Sequence, residues 1–408
     1  MNLVETSAPG PGLAKRRNSP GDAPRFLIVG AGISGAVLAR VLAEAGGRCD
    51  VFEERTHVAG HCHTERDRET GVLVHRHGPH TLHSDSERVW EFLERFTAIH
   101  PYRHTKWACV GGELYPFPIS LRTLSQFYGR PLGPDEARGL VAADAREAWP
   151  DDSRAPSDFE EAALSRIGRP LYEAFYRGYT IKQWGRDPRQ LPASTFSRLP
   201  VRFDDDDNYF HHDRQGQPVG GFTAMVERML DHENIAVHQG RSFSSRTAVA
   251  GYHHVFYSGA IDRYFDWKHG RLAYRTLRFD EERGRGTLQE RAVINYCDAE
   301  VPFTRVTEHK HFSEWENPEL TVRSFEYSSD CQPGDTPYYP LRLASDRNCL
   351  DAYIATAKAT SGVSFIGRLG TYRYIDMDVA ISEAMDVAAA AMLAWRQEQA
   401  IPTFFVDL

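Results

Sequence analysis

The sequence predicts an α/β fold that contains a Rossmann-like nucleotide-binding domain, and three observations support this prediction. The apolar run at 26–29 has the composition of a buried parallel strand. It leads into the loop GAGISG at 30–35 and then into a helical stretch that ends at the glycines 46–47. A second strand at 49–52 closes on Glu53, so about thirty residues form a complete strand–loop–helix–strand unit.

The glycine-rich loop has the spacing of a dinucleotide-binding motif. Gly30 allows the tight turn after the strand, Gly32 lets the backbone approach a pyrophosphate, and Gly35 allows close helix–strand contact. A helix is expected at 36–45, and its N-terminus offers free N–H groups to an anion. Glu53 is placed to accept hydrogen bonds from ribose hydroxyls, which disfavours NADP. The motif alone leaves FAD and NAD open, and a loop without any ligand is the alternative.

Composition limits the classes of function. The chain has 408 residues, of which 41% are hydrophobic, so we expect two or three domains. Its formal net charge is −8, whereas a nucleic-acid-binding protein usually presents a basic surface. The six cysteines lack CxxC spacing, which argues against a zinc ribbon and favours free thiols. We therefore expect no nucleic-acid partner.

The first residues have the composition of a tail. Residues 1–24 are rich in Pro, Gly and Ala and hold no apolar run, so we expect a disordered tail rather than a signal peptide. No window of the chain reaches about 18 consecutive apolar residues, so we expect no membrane-spanning segment. The expected location is cytoplasmic.

A second glycine-rich turn precedes the last helix. The strand expected at 363–366 leads into Gly367 and Arg368, and the helix is expected at 376–396. Two-lobed FAD folds use such a turn to cover the flavin end of the cofactor. Asp376 is placed to cap the helix, whose free N–H groups would face the carbonyl edge of the flavin. A simple N-cap is the alternative role for Asp376.

Several short strings, in a single order, resemble those of UDP-galactopyranose mutases. They are GYTIKQWG at 178–185, RLPVR at 198–202, DNYF at 207–210, NY at 295–296, TRVTEHK at 304–310, YYP at 338–340 and the stretch 367–378. The similarity covers nearly all of 25–405. The segment EERTHVAGH at 53–61 is also similar to the Glu-to-Gly-Gly extension of FAD proteins related to amine oxidases, with Ala59 in place of the first glycine.

The resemblance implies a Rossmann-like FAD-binding domain, a helical insertion domain and an antiparallel-sheet substrate domain. The expected FAD-binding domain comprises 25–105, 219–265 and 345–408. The expected helical domain with a mobile loop spans 122–186, and the sheet domain comprises 106–121, 187–218 and 266–344. By analogy with the family, the helical domain contributes to a homodimer.

The resemblance also implies a reaction. Members of the family bind FAD and act when it is reduced, and the flavin N5 attacks the anomeric carbon of the sugar and displaces the nucleotide diphosphate. The sugar recloses with the other ring size, without net redox change. The expected substrate pair is UDP-galactopyranose and UDP-galactofuranose. A second dinucleotide motif is absent, so NAD(P)H is expected only as an external reductant.

Site residues follow from the resemblance, position by position. Arg198 and Arg305 match the guanidinium groups that clamp the diphosphate, since planar guanidinium forks suit phosphates. Expected substrate contacts are Phe175, Tyr179, Thr180, Trp184, Tyr209, Phe210, Asn295, Tyr339 and Tyr374; among them, Trp184, Tyr339 and Tyr374 are also expected in catalysis, with His80 and His83. Expected FAD contacts are Gly30, Gly32, Ser34, Gly35, Glu53, Gly60, His61, Gly367, Arg368, Tyr374, Asp376 and Met377.

Each set has a structural alternative. Phe175 closes an apolar helical stripe and is compatible with a core role, the tyrosines with sheet support and the arginines with ion pairs. The histidine-rich segment 57–83 is compatible with a metal site, but we expect it to wrap the flavin and expect no metal. The acidic run 204–207 is compatible with calcium, but a solvated loop is the favoured interpretation.

Three departures from the family pattern leave the sugar open. They are Ala59–His61, Leu82 and Ala260, all in segments that the resemblance assigns near the flavin or the sugar. Alternatives are the same chemistry on UDP-N-acetylgalactosamine or on a CDP- or dTDP-sugar. A flavin oxidase or desaturase on the amine-oxidase-like fold and a non-catalytic flavoprotein are further alternatives, but the paired arginines and Trp184 argue against both.

Overall fold

The computed structural model describes residues 23–150, 153–197, 201–244, 247 and 249–408. They form two compact units. The first consists of the described parts of Met1–Gly60, Val226–Leu272 and Asn348–Leu408, and the second of those of His61–Met225 and Ala273–Arg347. Of the tail predicted at 1–24, residues 1–22 lie outside the described residues.

The strands and helices of the described residues are numbered here in chain order. The strands are β1 Arg25–Val29, β2 Arg48–Glu53, β3 Thr64–Arg66, β4 Leu73–His75, β5 Leu82–His83, β6 Ile99–Pro101, β7 Lys106–Val110, β8 Glu113–Phe117, β9 Gln215–Pro218, β10 Ile235–Gln239, β11 His254–Tyr257, β12 Tyr274–Arg285, β13 Val293–Tyr296, β14 Arg305–Glu308, β15 Leu320–Asp330, β16 Tyr339–Pro340 and β17 Val363–Phe365. The helices are α1 Ile33–Glu44, α2 Glu87–Glu94, α3 Leu121–Phe127, α4 Pro134–Ala148, α5 Phe159–Leu171, α6 Gly178–Trp184, α7 Ala193–Ser197, α8 Gly221–Leu230, α9 Ile261–Tyr264, α10 Arg347–Lys358, α11 Gly367–Gly370 and α12 Met377–Arg396.

The first unit is built on a five-stranded sheet in which all neighbouring strands are parallel. Its order is β10-β2-β1-β11-β17, and Ile28 of β1 pairs with Val51 on one side and Phe256 on the other. Phe26, Leu27 and Ile28 of β1 are fully buried, as the continuous apolar run predicted. The chain order changes direction beside β1, which is where ligands of open α/β sheets bind. The predicted Rossmann-like fold class is confirmed.

The second unit holds a seven-stranded sheet of order β16-β12-β15-β14-β13-β7-β8. Its neighbours are antiparallel except for the parallel pair β13 and β7. A shared core joins this sheet to the helices, because Ala108 and Phe117 pack in one apolar cluster with Phe159 and Leu171. The segments expected to form separate helical and sheet domains therefore lie in one compact unit.

One expected domain boundary differs from the contacts in the structure. Residues 61–105 were expected in the FAD-binding domain, but they lie in the second unit. There they form two small sheets, β3-β4 and β5-β9-β6. Short strands of this kind need partners from the same unit, and β9 supplies one to both β5 and β6.

Residues 155–175 carry apolar side chains at roughly helical spacing, which predicts a helix, but the helix in the structure is interrupted. Gly168 has φ +73°, and Pro170, two residues later, has no N–H to donate. A Cβ at Gly168 would lie 2.5 Å from the Cβ of Asp144, so only glycine allows α4 and α5 to approach this closely. A π-helical turn at Tyr172–Arg177 then leads into α6. Helical periodicity predicted the segment but not this break.

Replacement of Ala59 by glycine tests the strain next to the nucleotide loop. Ala59 has φ +73°, and its N–H donates to the carbonyl of Ala31 at 2.9 Å. A left-handed backbone conformation costs a residue with a Cβ about 1–2 kcal/mol. Replacement by glycine removes this cost, but the greater entropy of glycine in the unfolded chain offsets part of the stabilisation. We expect Ala59→Gly to raise the free energy of unfolding of the holoprotein by about 0.5–1 kcal/mol in urea denaturation. The matched Ala39→Gly inside α1 should lower it, and equal effects of the two variants would contradict the strain.

Candidate active site

The nucleotide loop of the first unit requires its glycines. Gly30 has φ +100°, and a Cβ there would lie 2.2 Å from the hydroxyl oxygen of Ser258. A Cβ at Gly35 would lie 2.0 Å from the carbonyl oxygen of Gly30. α1 begins directly after Gly32 and has no acidic residue in its first turn, so its N-terminus is open to an anion. The loop thus fits the pyrophosphate of a dinucleotide.

Glu53 is placed at the end of β2, as expected, but it also closes the loop. Its carboxylate is 3% exposed and accepts hydrogen bonds from the N–H groups of Ala31 at 2.8 Å and Arg55 at 2.9 Å. A carboxylate has about four acceptor positions, so two bonds leave capacity for a ribose hydroxyl. The ribose contact stays a prediction.

The second glycine-rich turn lies beside the first loop. Gly367 has φ +69°, and a Cβ there would lie 2.9 Å from the hydroxyl oxygen of Ser34. Arg368 donates to the carbonyl of Ile375 at 2.8 Å, and its guanidinium lies 5.0 Å from the ring centroid of Tyr374. Asp376 precedes the first residue of α12, Met377, and Tyr374 is 38% exposed. Five of the expected cofactor residues therefore line one turn.

In the second unit, the polar candidates share one face of the seven-stranded sheet. Asn295 of β13 pairs directly with Arg305 of β14, which pairs with Glu326 of β15. Residues paired across neighbouring strands point to the same face, so these three side chains form a row. We call these three residues the polar row.

Arg305 and Glu326 form a buried ion pair in this row. The Nε of Arg305 donates to Glu326 at 2.6 Å, and the carboxylate, which is 1% exposed, also accepts from the hydroxyl of Thr304 at 3.2 Å. Burial lowers the pKa of Arg305, but the charges of Glu326, Tyr339 and Tyr179 outweigh it and hold that pKa above its usual value. The guanidinium of Arg305 uses its Nε in the hydrogen bond to Glu326. Within the described residues, both of its terminal nitrogens therefore remain available to an anion.

Three expected tyrosines lie near this guanidinium. Burial raises the pKa of Tyr179, which interacts electrostatically with Arg305, Tyr209 and Tyr339. The ring of Trp184 meets that of Tyr339 edge-on, with centroids 6.4 Å apart. The structure therefore brings together Arg305 and four expected substrate residues.

The side-chain oxygen of Asn295 is a buried acceptor. Asn295 is 8% exposed, and its Oδ1 has no hydrogen-bond partner among the described residues. Such a group costs free energy unless a ligand or water donates to it. Its place in the polar row makes it a candidate acceptor for a substrate donor, and its role as a substrate contact stays a prediction.

The two candidate histidines have different surroundings. His83 stacks on Phe210 with ring centroids 3.7 Å apart and lies 2.9 Å, between Nδ1 atoms, from His212. His80 donates from Nδ1 to the carbonyl of Gly78 at 2.9 Å. Phe210 meets the ring of Tyr209 edge-on at 5.1 Å, which connects His83 to the expected substrate residues. The catalytic roles of both histidines stay predictions.

The remaining expected residues are less informative. Phe175 is 1% exposed and packs against Tyr115 and Phe127, so the structure places it in an aromatic core. Thr180 is buried in α6. His61 stacks on Tyr338 with centroids 4.6 Å apart. Arg198 lies outside the described residues.

Two residues that fix α6 had no assigned role in the sequence. The ammonium of Lys182 lies within 2.8–3.1 Å of the carbonyl oxygens of Tyr296, Asp298, Val301 and Phe303. Arg275 donates to the carbonyl of Gln183 at 3.0 Å and pairs with Asp330. The lysine within the otherwise largely uncharged string GYTIKQWG could have indicated that its ammonium binds buried carbonyl oxygens. No local pattern indicated the role of Arg275.

Other expectations concern metals and membranes. Among the described residues, no group of three or more His, Cys, Asp or Glu side chains has the arrangement of a metal site. Asp206, in the acidic run, pairs with Arg103 and Arg202. None of the helices in the described part of the chain is long and apolar enough to cross a membrane.

The sequence matches known families and proteins. The family model described as UDP-galactopyranose mutase matches residues 174–374, and that of an NAD(P)-binding Rossmann-like domain matches residues 28–96. A Klebsiella pneumoniae protein named "Probable UDP-galactopyranose mutase" is 45% identical over 94% of this chain and 98% of its own. The dTDP-fucopyranose mutase of Escherichia coli is 43% identical over 89% and 97%. A crystal structure of reduced UDP-galactopyranose mutase shares the fold, with a TM-score of 0.71 and 16% identity over 91% of this chain and 96% of that one.

Two buried neutral histidines in the second unit give a prediction about pH. Burial lowers the pKa of both His75 and His309 from 6.5 to about 3, and His309 accepts from the N–H of His75 while it contacts the hydroxyl of Ser324. Because the unfolded chain binds these protons at higher pH, stability is full above pH 6.5 and is lost as pH falls toward 3.

We expect each histidine to remove up to about 1.4 kcal/mol of unfolding free energy per pH unit in this range. His309→Gln should reduce the slope of the unfolding free energy against pH by the contribution of one histidine. Urea denaturation between pH 7 and 4 measures this slope. Parallel slopes for the variant and the wild type would contradict the assignment.

Proposed function

Because the chain belongs to the UDP-galactopyranose mutase family, we propose that it is a flavin-dependent isomerase that interconverts the pyranose and furanose forms of a nucleotide-diphosphate sugar. The first substrate pair to test is UDP-galactopyranose and UDP-galactofuranose. The observation that supports the proposal best is the polar row, in which an arginine with two uncommitted terminal nitrogens lies among tyrosines.

We propose FAD as the cofactor. Gly30, Gly32 and the start of α1 would hold its pyrophosphate, and Glu53 its ribose, since a backbone without Cβ atoms and an open helix N-terminus suit a phosphate. The turn from Gly367 to Met377 would contact the flavin. When bound in its reduced form, the flavin supplies the nucleophile for the anomeric carbon without net redox change. NAD(P)H remains a candidate external reductant.

The protein's own task is to bind and neutralise a diphosphate that leaves and returns. Arg305 would donate from its terminal nitrogens, with hydroxyl donors from Tyr179, Tyr209 and Tyr339 nearby. Glu326, which is paired with Arg305 across the neighbouring strand, binds Nε and would hold the guanidinium in one orientation. Arg198 is proposed to complete the clamp, and Tyr374 stays an expected substrate contact from the family resemblance.

A dTDP-sugar is a second candidate substrate. The observation in its favour is the dTDP-fucopyranose mutase of Escherichia coli, which is almost as similar to this chain as the Klebsiella protein. Both substrates would present the same diphosphate to Arg305 and differ in the sugar and base. The homodimer and the cytoplasmic location stay predictions from the family resemblance and the composition.

The proposed activity can be tested directly on the purified holoenzyme. We expect the dithionite-reduced protein to convert the furanose isomer of UDP-galactose into the pyranose isomer, and the oxidised protein to be inactive. Chromatography of the two isomers measures the conversion. Conversion of a dTDP-fucose isomer but not of UDP-galactose would retain the mutase chemistry and reassign the substrate. Bound flavin without conversion of either would contradict the proposal.

Asn295 offers a test of the polar row. We expect Asn295→Leu, which has a similar shape, to raise KM about tenfold or more, because the substrate loses an acceptor in the row. The free energy of unfolding should stay within about 1 kcal/mol, since the lost oxygen has no protein partner. Asn234→Leu, in the first unit, is the control for activity. An unchanged KM for the Asn295 variant would remove this residue from the substrate site.

A further inference from the structure

We propose that Lys106 is a further substrate-binding residue, whose ammonium binds the diphosphate of the sugar nucleotide beside Arg305. The inference rests on the proposed function and adds a cation that the sequence pattern did not single out.

Lys106 begins β7 on the same face of the sheet as the polar row. Asn295 pairs with Ala108, and Lys106 is two residues before Ala108, so strand alternation points both side chains to one face. The ammonium of Lys106 lies 3.6 Å from the ring centroid of Tyr209, an expected diphosphate ligand. The lysine therefore lies where Arg305, Asn295 and Tyr209 converge.

The ammonium of Lys106 lacks a committed acceptor. Within the described residues, its Nζ forms no hydrogen bond and no ion pair. It lies instead over the face of the Tyr209 ring, as a cation–π contact. Lys182, another partly buried lysine of this unit, contacts four carbonyl oxygens. A cation that is removed from water needs an anionic partner, and a diphosphate supplies one.

The charges around Lys106 make its ammonium sensitive to a bound anion. Burial, and then the positive charge of Arg305, lower the pKa of Lys106 to about 7, while the charge of Glu326 acts in the opposite direction. The other groups that face it are Tyr209 and His104, and burial keeps the pKa of His104 well below its usual value, so this ring is neutral. A diphosphate would add negative charge and raise the pKa of Lys106, so binding takes up a proton near neutral pH.

The test is calorimetric titration of the oxidised holoenzyme, which does not turn over, with UDP-galactose and with a dTDP-sugar between pH 6 and 9. These diphosphate diesters do not titrate there at the phosphates. We expect wild-type affinity to fall as pH rises above about 7, and proton uptake at pH 7.5 to appear as a dependence of the heat on buffer ionisation. Lys106→Met should bind about ten- to hundredfold more weakly at pH 6 and lose both the proton uptake and the pH dependence.

Two further variants separate binding from structure. Lys106→Arg should bind tightly at pH 6 and keep that affinity at pH 9, because a guanidinium stays charged. Lys310→Met removes a partly buried lysine of the same unit, whose ammonium donates to the carbonyl of Gly286, and should match the wild type. If Lys106→Met binds the sugar nucleotide like the wild type at every pH, the inference is wrong and the proposed function stands. If the wild-type protein binds neither nucleotide, both are wrong.

Discussion

The buried ion pair of Arg305 and Glu326 is the interaction on which the second unit's candidate site depends. Isolated charges are expensive to bury, so a carboxylate that is 1% exposed persists only because the guanidinium and the hydroxyl of Thr304 bind it. Both residues are directly paired across β14 and β15, so strand register fixes their separation. The site is therefore preorganised by the sheet rather than by loops, which is the arrangement that favours binding of a developing or leaving anion.

The same requirement shapes the helix that bears Trp184. Gly185, which has φ +62°, follows α6, and near the end of this helix Arg275 donates to the carbonyl groups of Lys182 and Gln183, the second of which also accepts from the hydroxyl of Ser328. Asp330 in turn pairs with Arg275, and Lys182 binds the backbone carbonyl groups of the turn after β13. Both cations thus tie the last turn of α6 to the sheet, directly before the tryptophan.

Local patterns explain how much of this was predictable. The strand–loop–helix–strand unit follows from glycine spacing and a continuous apolar run, because both signals are local. The break at Gly168 was missed because it depends on contact with Asp144, and the polar row was missed because it depends on register between strands far apart in the chain. Family resemblance supplied Arg305 and Asn295 as single residues, but only the sheet shows that Glu326 and Lys106 accompany them.

The three departures from the family pattern have unequal consequences. Leu82 is 3% exposed and pairs with Gly216 in a small sheet, and Ala260 is 7% exposed at the start of α9, so both act through packing. His61 instead stacks on Tyr338, the residue before Tyr339, and is itself only partly buried. We propose that His61 bears on the choice of sugar, whereas the diphosphate contacts depend on Arg305 and Glu326. The relatives named as a probable UDP-galactopyranose mutase and a dTDP-fucopyranose mutase are 45% and 43% identical to this chain, so overall similarity does not separate the two sugars.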